Sequence, residues 1–242
     1  MKTRYLPPPE QKAQYVREMF TSIAPVYDRL NSIISLGLHR LWRRTAVRLS
    51  GLKPGDSALD VATGTGDFAI TLAKAVGPTG RVVGIDFSEG MLRLAHEKIK
   101  RLGLDGVIQF EWADALSLPF ADGEFDAATV GFAGRNVTDL KGMFSEMRRV
   151  VRPGGRVVHL ELSRPTLPIF RDIYRIYFYH LVPVVGGALA RSRSAYGYLP
   201  ESLSVFPSPE EVARVMREAG LVKVRYYPLA LGTVTVHVGV VP

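Results

Sequence analysis

The chain has 242 residues, 47% hydrophobic and 22% charged, and its 31 Lys and Arg against 23 Asp and Glu give a formal net charge of +8. That length and balance suffice for one large core and exclude a disordered or collagenous chain. With no cysteine, disulfide staples, thiolate metal sites, a Cys nucleophile and CxxC redox chemistry are excluded, and an intracellular protein is the simplest expectation.

The opening MKTRYLPPPEQKAQ has no apolar h-region, so no secretory signal is expected. Residues 1–50 carry a charge of +6, residues 51–162 carry −2, and the remaining +4 arises between Arg164 and Arg193. The positive field thus belongs to two flanking segments. Asn31 and Asn136 are the only asparagines and Gln11, Gln14 and Gln109 the only glutamines, a composition of the kind found in heat-adapted proteins.

Val16, Met19, Phe20 and Ile23 recur at helical spacing near the start. Ser57 to Ala62 is a short apolar run ending in a Gly-rich turn, and Gly64 to Val76 has helical composition. Arg81 to Asp86 reads as a second buried strand, after which Ser88 caps a helix whose apolar face is Met91, Leu92, Ala95, Ile99 and Leu102. Val107 to Trp112 and Phe125 to Gly131 read as further strands. Leu140, Met143, Phe144, Met147 and Val151 follow at helical spacing, then a Pro153-Gly154-Gly155 turn and a strand from Arg156 to Leu162. Strands alternating with helices predict a parallel sheet covered on both faces. Ser208-Pro209-Glu210-Glu211 predicts a capped helix ending at Gly220. Val222 to Tyr227 and Thr233 to Val241 then form an antiparallel pair.

Gly64-Thr65-Gly66, following a buried strand and opening a helix, is a cofactor loop, because glycines let backbone amides approach a ligand that a Cβ would block. Asp86, at the end of the next strand, is placed to hydrogen-bond ribose hydroxyls, a geometry that suits NAD equally. Asp60 and Asp67 flank the loop and would oppose a pyrophosphate. S-adenosylmethionine has no phosphate and presents an ammonium and a sulfonium, which nearby carboxylates favour. The blander alternatives are a helix-favouring Asp67 and a solvated Asp60. Asp114 and Ala115 follow the third strand, where Asp114 either receives the adenine amino group or makes a turn. Gly131 to Asn136 follows the fourth, where a methyl acceptor approaches.

The chain resembles the C-methyltransferases of menaquinone and ubiquinone biosynthesis over nearly its whole length. The stretches that carry the likeness are YDRLNSIISLGLHRLW from Tyr27, LDVATGTGD from Leu59, GIDFSEGML from Gly84, GRNVTD from Gly134 and RVVRPGGRVVHLE from Arg149. The resemblance implies an α/β fold of the class I S-adenosylmethionine-dependent methyltransferase type, with a seven-stranded, mostly parallel sheet and a terminal antiparallel hairpin. It implies a donor site at Thr65, Asp86, Phe87, Asp114 and Ala115, beside Asp60, Gly64 and Gly66. Gly131 departs from the serine common in relatives, so only a backbone contact is expected there.

The implied reaction is methylation of a prenylated hydroquinone at a ring carbon, which needs proximity, alignment, exclusion of water and a route for the phenolic proton. Tyr27, Asp28, His39, Arg135 and Asn136 lie in the family-specific blocks. Arg135 is assigned to the developing phenolate, Tyr27 to positioning or proton relay, and His39 stands behind them. Tyr27 as part of an apolar stripe and His39 as the holder of a helix end are the competing structural readings.

We expect one domain: a helical cap over 1–50, a donor-binding core over 51–162, an aromatic and basic insertion over 163–207, and a terminal helix and hairpin over 208–242. Phe170 to Ala190 is aromatic-rich but interrupted by Asp172, Arg175, His180 and Pro183, so it is no membrane span. With the flanking arginines it forms either a lid meeting anionic lipid or a core helix or subunit interface. Such contact would be peripheral, at the inner face of the cell membrane. No metal and no nucleic-acid partner are expected. Monomer and homo-oligomer both fit the sequence, as do naphthoquinol and benzoquinol acceptors. A nucleic-acid methyltransferase is disfavoured by the missing Cys and the lack of length for an RNA-binding domain, and a non-catalytic module by the intact glycine loop and Asp86.

Overall fold

In the computed structural model, residues 5–165, 167–178, 182, 184 and 193–242 are described. Two long N-terminal helices, α1 (Lys12–Ile34) and α2 (His39–Ser50), precede β1 (Ser57–Val61), α3 (Asp67–Val76), β2 (Arg81–Asp86), α4 (Glu89–Leu102) and β3 (Ile108–Trp112). Then come β4 (Phe125–Gly131), α5 (Leu140–Val150), β5 (Val151–Leu162), α6 (Pro168–Ile176), α7 (Arg193–Val205), α8 (Pro209–Glu218), β6 (Val222–Leu229) and β7 (Val234–Val240).

The seven strands form one sheet in the order β3-β2-β1-β4-β5-β7-β6. The first five run parallel, while β7 lies antiparallel between β5 and β6. The apolar runs of β1, β2 and β4 are buried on both faces, as parallel strands under helices require. Strand order reverses at β1 and β4, so a crevice opens at their carboxyl ends. Ser88, Asp139 and Ser208 cap α4, α5 and α8, with Ser208 and Glu211 making both halves of a capping box.

Two details differ from the sequence reading. The Pro153-Gly154-Gly155 stretch lies inside β5, where residues 152–155 bulge between Val151, opposite Phe125 of β4, and Arg156, opposite Ala127, so the strand is kept instead of turning away. Helix α3 begins at Asp67, since Gly64 and Gly66 adopt left-handed backbone, with φ +58° and +81°.

A third apolar cluster lies apart from the two faces of the sheet. Val16, Met19, Ile23 and Leu30 of α1 pack against Phe178, Val182, Ala195, Tyr198 and Leu203. The N-terminal segment and the insertion therefore form one roof over the crevice. His180 and Pro183, which interrupt the aromatic-rich stretch, lie outside the described residues, as does Arg191 of the basic flank.

Candidate active site

Two clefts lie under the roof, and Phe20, Tyr27 and Phe132 line both. The first encloses about 1050 Å3 of empty space, partly open to solvent, and takes its wall from Gly64, Asp86, Phe87, Asp114, Ala115 and Gly131, six of the expected donor residues. Asp86 accepts from Gly64 N at 2.8 Å and Ser88 N at 2.9 Å, tying the glycine loop to the end of β2. Burial pushes its carboxyl up to about 6. Asp114 accepts from Leu116 N at 2.9 Å through one oxygen, which makes the turn, and still lines the cleft. Trp112 donates to the Phe87 carbonyl at 3.0 Å, and these two rings with Met91 and Leu116 give that cleft flat apolar walls.

The two loop glycines do different work. A Cβ on Gly64 would meet nothing within 4 Å, so the loop is open on that side although its amide is held by Asp86, whereas one on Gly66 would come 2.7 Å from the Phe110 ring. Gly66 therefore lets the loop pack on β3. Ala62 (φ +53°) and Phe132 (φ +58°) hold left-handed backbone at the ends of β1 and β4, and both line the cleft; such outliers gather at ligand sites. A Cβ on Gly131 would lie 2.7 Å from Phe68, so that ring fills the space of a serine side chain and only the Gly131 backbone faces the cleft.

Asp60, Thr65 and Gly66 stand behind the loop instead of lining the cleft. Asp60 is buried, neither solvated nor facing a ligand: it accepts from Thr63 at 2.7 Å and Thr129 at 2.8 Å, and burial pushes it up to about 7. Asp67 is taken up by Arg43 at 2.7 Å and Lys98 at 2.8 Å; burial alone would raise it, but those cations hold it below the usual carboxylate range. Thr65 donates to Asp28 at 2.6 Å, and Asp28 also pairs with Lys98, so Asp28 braces the loop and does not reach the acceptor. The acids facing the cleft are Asp86 and Asp114, and no Lys or Arg is among its described lining residues. That wall fits a cationic, phosphate-free donor and opposes a pyrophosphate.

The second cleft encloses about 960 Å3 and is walled by rings from α1, α2, α6 and α7, among them Trp42, Tyr174 and Tyr198, and by Tyr177 just past α6. Two buried cations line it: Arg43, which is paired with Asp67, and Arg135, each with a side chain 8% exposed. Arg135 Nη1 donates to Glu161 Oε1 at 2.5 Å and to the Phe132 carbonyl at 2.8 Å. Glu161 also accepts from Arg135 N at 3.3 Å and Leu162 N at 2.9 Å. The guanidinium is thus fixed at one end, while its buried Nε has no partner among the described residues.

Burial raises the pKa of Tyr27 although the Asn31 side chain beside it acts the other way, so it stays a protonated phenol and not a base. His39 is buried beside Ser35. The Ser35 hydroxyl donates its single proton to the Asn31 carbonyl at 2.5 Å, so in the 2.5 Å Ser35–His39 contact the His39 Nδ1 donates. That tautomer leaves Nε2 as an acceptor, and burial with Arg43 nearby lowers His39 to about 4, keeping it neutral. Asn136 lines the first cleft, accepting from Tyr198 at 3.2 Å.

The model of the ubiE/COQ5 methyltransferase family matches residues 9–241. The chain belongs to that family. The expected resemblance, methyltransferase class and methyl donor, S-adenosylmethionine, accordingly stand. Among curated relatives of family members, "Demethylmenaquinone methyltransferase" of Bacillus cytotoxicus is 45% identical over 233 residues, covering 96% of this chain and 98% of its own. "Ubiquinone/menaquinone biosynthesis C-methyltransferase UbiE" of Geobacter sp. is 46% identical over 230 residues, covering 95% and 97%. The crystal structure of a SAM-dependent methyltransferase from Aquifex aeolicus aligns with a TM-score of 0.62 at 20% identity, covering 89% of this chain and 98% of that one. It bears out the expected fold, including the antiparallel end of the sheet.

Sequence reasoning missed Glu161, Trp112 and Lys98. Glu161 had a usable signal: it is the single carboxylate in β5, set among Val157, Val158, Leu160 and Leu162. Lys98 had none, because nothing in sequence joins α4 to a loop over thirty residues earlier.

Proposed function

We propose that the chain methylates a prenylated hydroquinone at a ring carbon, with demethylmenaquinol as acceptor and menaquinol as product. The observation that carries this reading is the aromatic cavity, with half-paired Arg135 in its wall, sharing Phe20, Tyr27 and Phe132 with the donor cleft. Bound S-adenosylmethionine supplies an electrophilic methyl group on a sulfonium. Arg135 favours the phenolate, whose charge enriches the adjacent ring carbon, and the rings of the cavity exclude water. Tyr27 donates a hydrogen bond at the border of the two clefts, and Asn136 frames the donor side. His39 presents a neutral acceptor to a hydroquinone hydroxyl; its low pKa makes it a poor proton store, so the phenolic proton passes to water, and the ring-carbon proton that the methyl group displaces follows it as the aromatic ring is restored and S-adenosylhomocysteine departs. Asp86, Phe87, Asp114 and Ala115 seat the donor, and Gly64 and Gly131 approach it through backbone.

The benzoquinol step of ubiquinone biosynthesis is the second reading, favoured only by the double name of the Geobacter relative. No described helix is long and apolar enough to cross a membrane, and the prenyl tail calls for a bilayer source. The basic flanking segments would therefore act as a lid at an anionic membrane surface. Transfer of labelled methyl to demethylmenaquinol beside the benzoquinol analogue tests the assignment. Faster transfer to the naphthoquinol is expected; transfer to the benzoquinol alone would overturn it.

A further inference from the structure

The turn joining α1 to α2 carries more exposed apolar surface than the fold explains. Leu36 is 82% exposed, and Ile33, Leu38 and Leu41 are 47%, 42% and 54% exposed. Leu36 also sits at φ +50°, a backbone that glycine or asparagine adopts more readily than leucine. Ile176, 66% exposed, joins the same end, since the neighbouring Tyr177 hydroxyl donates to the Ile34 carbonyl at 2.6 Å. Ile34, Ser35, His39 and Trp42, interleaved with these residues, line the aromatic cavity.

Cations frame this tip. Arg40, Arg44 and Arg48 recur every fourth residue along one exposed face of α2 and make no ion pair among the described residues. Arg40 and Arg44 line a polar cleft beside the turn in which Asp28 and Asp67 are already paired with Lys98 and Arg43. An apolar tip backed by unpaired arginines complements one kind of surface, an anionic bilayer, with acyl chains for the leucines and lipid phosphates for the guanidiniums.

We infer that the α1–α2 turn inserts into an anionic membrane through Leu36, Leu38 and Leu41, is held there by Arg40 and Arg44, and brings the mouth of the aromatic cavity to the bilayer. The occupant rests on the reading of a prenylated acceptor given above; the surface does not. The tail of the acceptor then stays in the acyl region while its ring enters past Trp42.

The test compares wild type, Leu36→Asp and the double variant Arg40→Gln/Arg44→Gln by flotation with phosphatidylglycerol–phosphatidylcholine and pure phosphatidylcholine vesicles. Turnover is read on a long-tailed demethylnaphthoquinol in vesicles and on a short-tailed, water-soluble one. Aspartate accepts the left-handed backbone, so Leu36→Asp should melt no lower than wild type. It is expected to bind anionic vesicles at least about 10-fold more weakly, to lose turnover of the vesicle acceptor in proportion, and to keep turnover of the soluble one. The double variant should lose on the order of 30-fold in anionic vesicle binding, at roughly fivefold per arginine. Leu36→Asp that binds vesicles and uses the embedded acceptor like wild type would overturn the inference. So would a wild-type dimer that Leu36→Asp dissociates without any vesicle binding. Wild type that floats but methylates neither naphthoquinol would refute the acceptor and leave the membrane surface standing.

Discussion

Replacing Arg135 by methionine strips Glu161 of its partner in a site where the two side chains are 8% and 2% exposed. An unpaired buried carboxylate costs about 3–5 kcal/mol, and in a chain of this length each kcal/mol is worth roughly 2–4 °C, so the melting temperature should fall by about 10 °C. Loss of a charged donor to a developing oxyanion costs a further 2.7–4 kcal/mol of barrier, or about 10²–10³ in rate. The two effects separate in Arg135→Met/Glu161→Gln, which removes both charges while glutamine keeps an acceptor for Leu162 N. That double variant should regain most of the stability and none of the turnover. Thermal melts and single-turnover labelled-methyl transfer read the two quantities. S-adenosylmethionine affinity should be unchanged in both variants, because Arg135 lines the acceptor cavity and not the donor cleft. Wild-type turnover in the double variant would show that Arg135 only completes a buried ion pair, and the catalytic assignment would fail.

Gly131→Ser places a Cβ 2.7 Å from the Phe68 ring and should cost about 1–3 kcal/mol; Phe68→Leu in the same chain should restore the melting temperature. Burial holds Asp86 at about 6, so donor affinity measured by calorimetry should weaken as pH falls through that value, and Asp86→Asn should bind weakly with a flat profile. His159 and His237 are kept neutral down to about 3 by burial, their two Nδ1 atoms 3.4 Å apart, whereas the unfolded chain protonates them below about 6.5. The unfolded state then binds more protons, so the stability this pair permits is present above pH 6.5 and is lost as pH falls. Asp60 and Asp86, with raised values, pull the opposite way toward pH 4 in wild type and variant alike. Urea denaturation at pH 7 and pH 5 should therefore show a smaller acid loss in His159→Leu than in wild type; an equal loss would refute the assignment.

Periodicity and capping made the sheet legible: the buried runs Leu59–Val61 and Val82–Ile85 became β1 and β2, and Ser208 with Glu211 marked the start of α8. The wall of the first cleft was legible at Asp86 and Asp114 because Asp86 ends β2 and Asp114 lies two residues past β3. Asp60 misled, since spacing from the glycines gives proximity in sequence but not direction, and its carboxylate turns inward to hydroxyls of Thr63 and Thr129 from different elements. Asp67 misled in the same way: its partners Arg43 and Lys98 come from α2 and α4. The aromatic cavity could not be read beforehand, because its walls come from α1, α2, α6 and α7, which meet only through tertiary packing.

The position of the transferred methyl group tests the central claim most directly. Incubation with S-adenosylmethionine carrying a carbon-13 methyl and with demethylmenaquinol, followed by NMR of the product, should give one enriched methyl on the unsubstituted ring carbon beside the prenyl chain. An enriched methyl on a phenolic oxygen, or label transferred only to a benzoquinol, would contradict it.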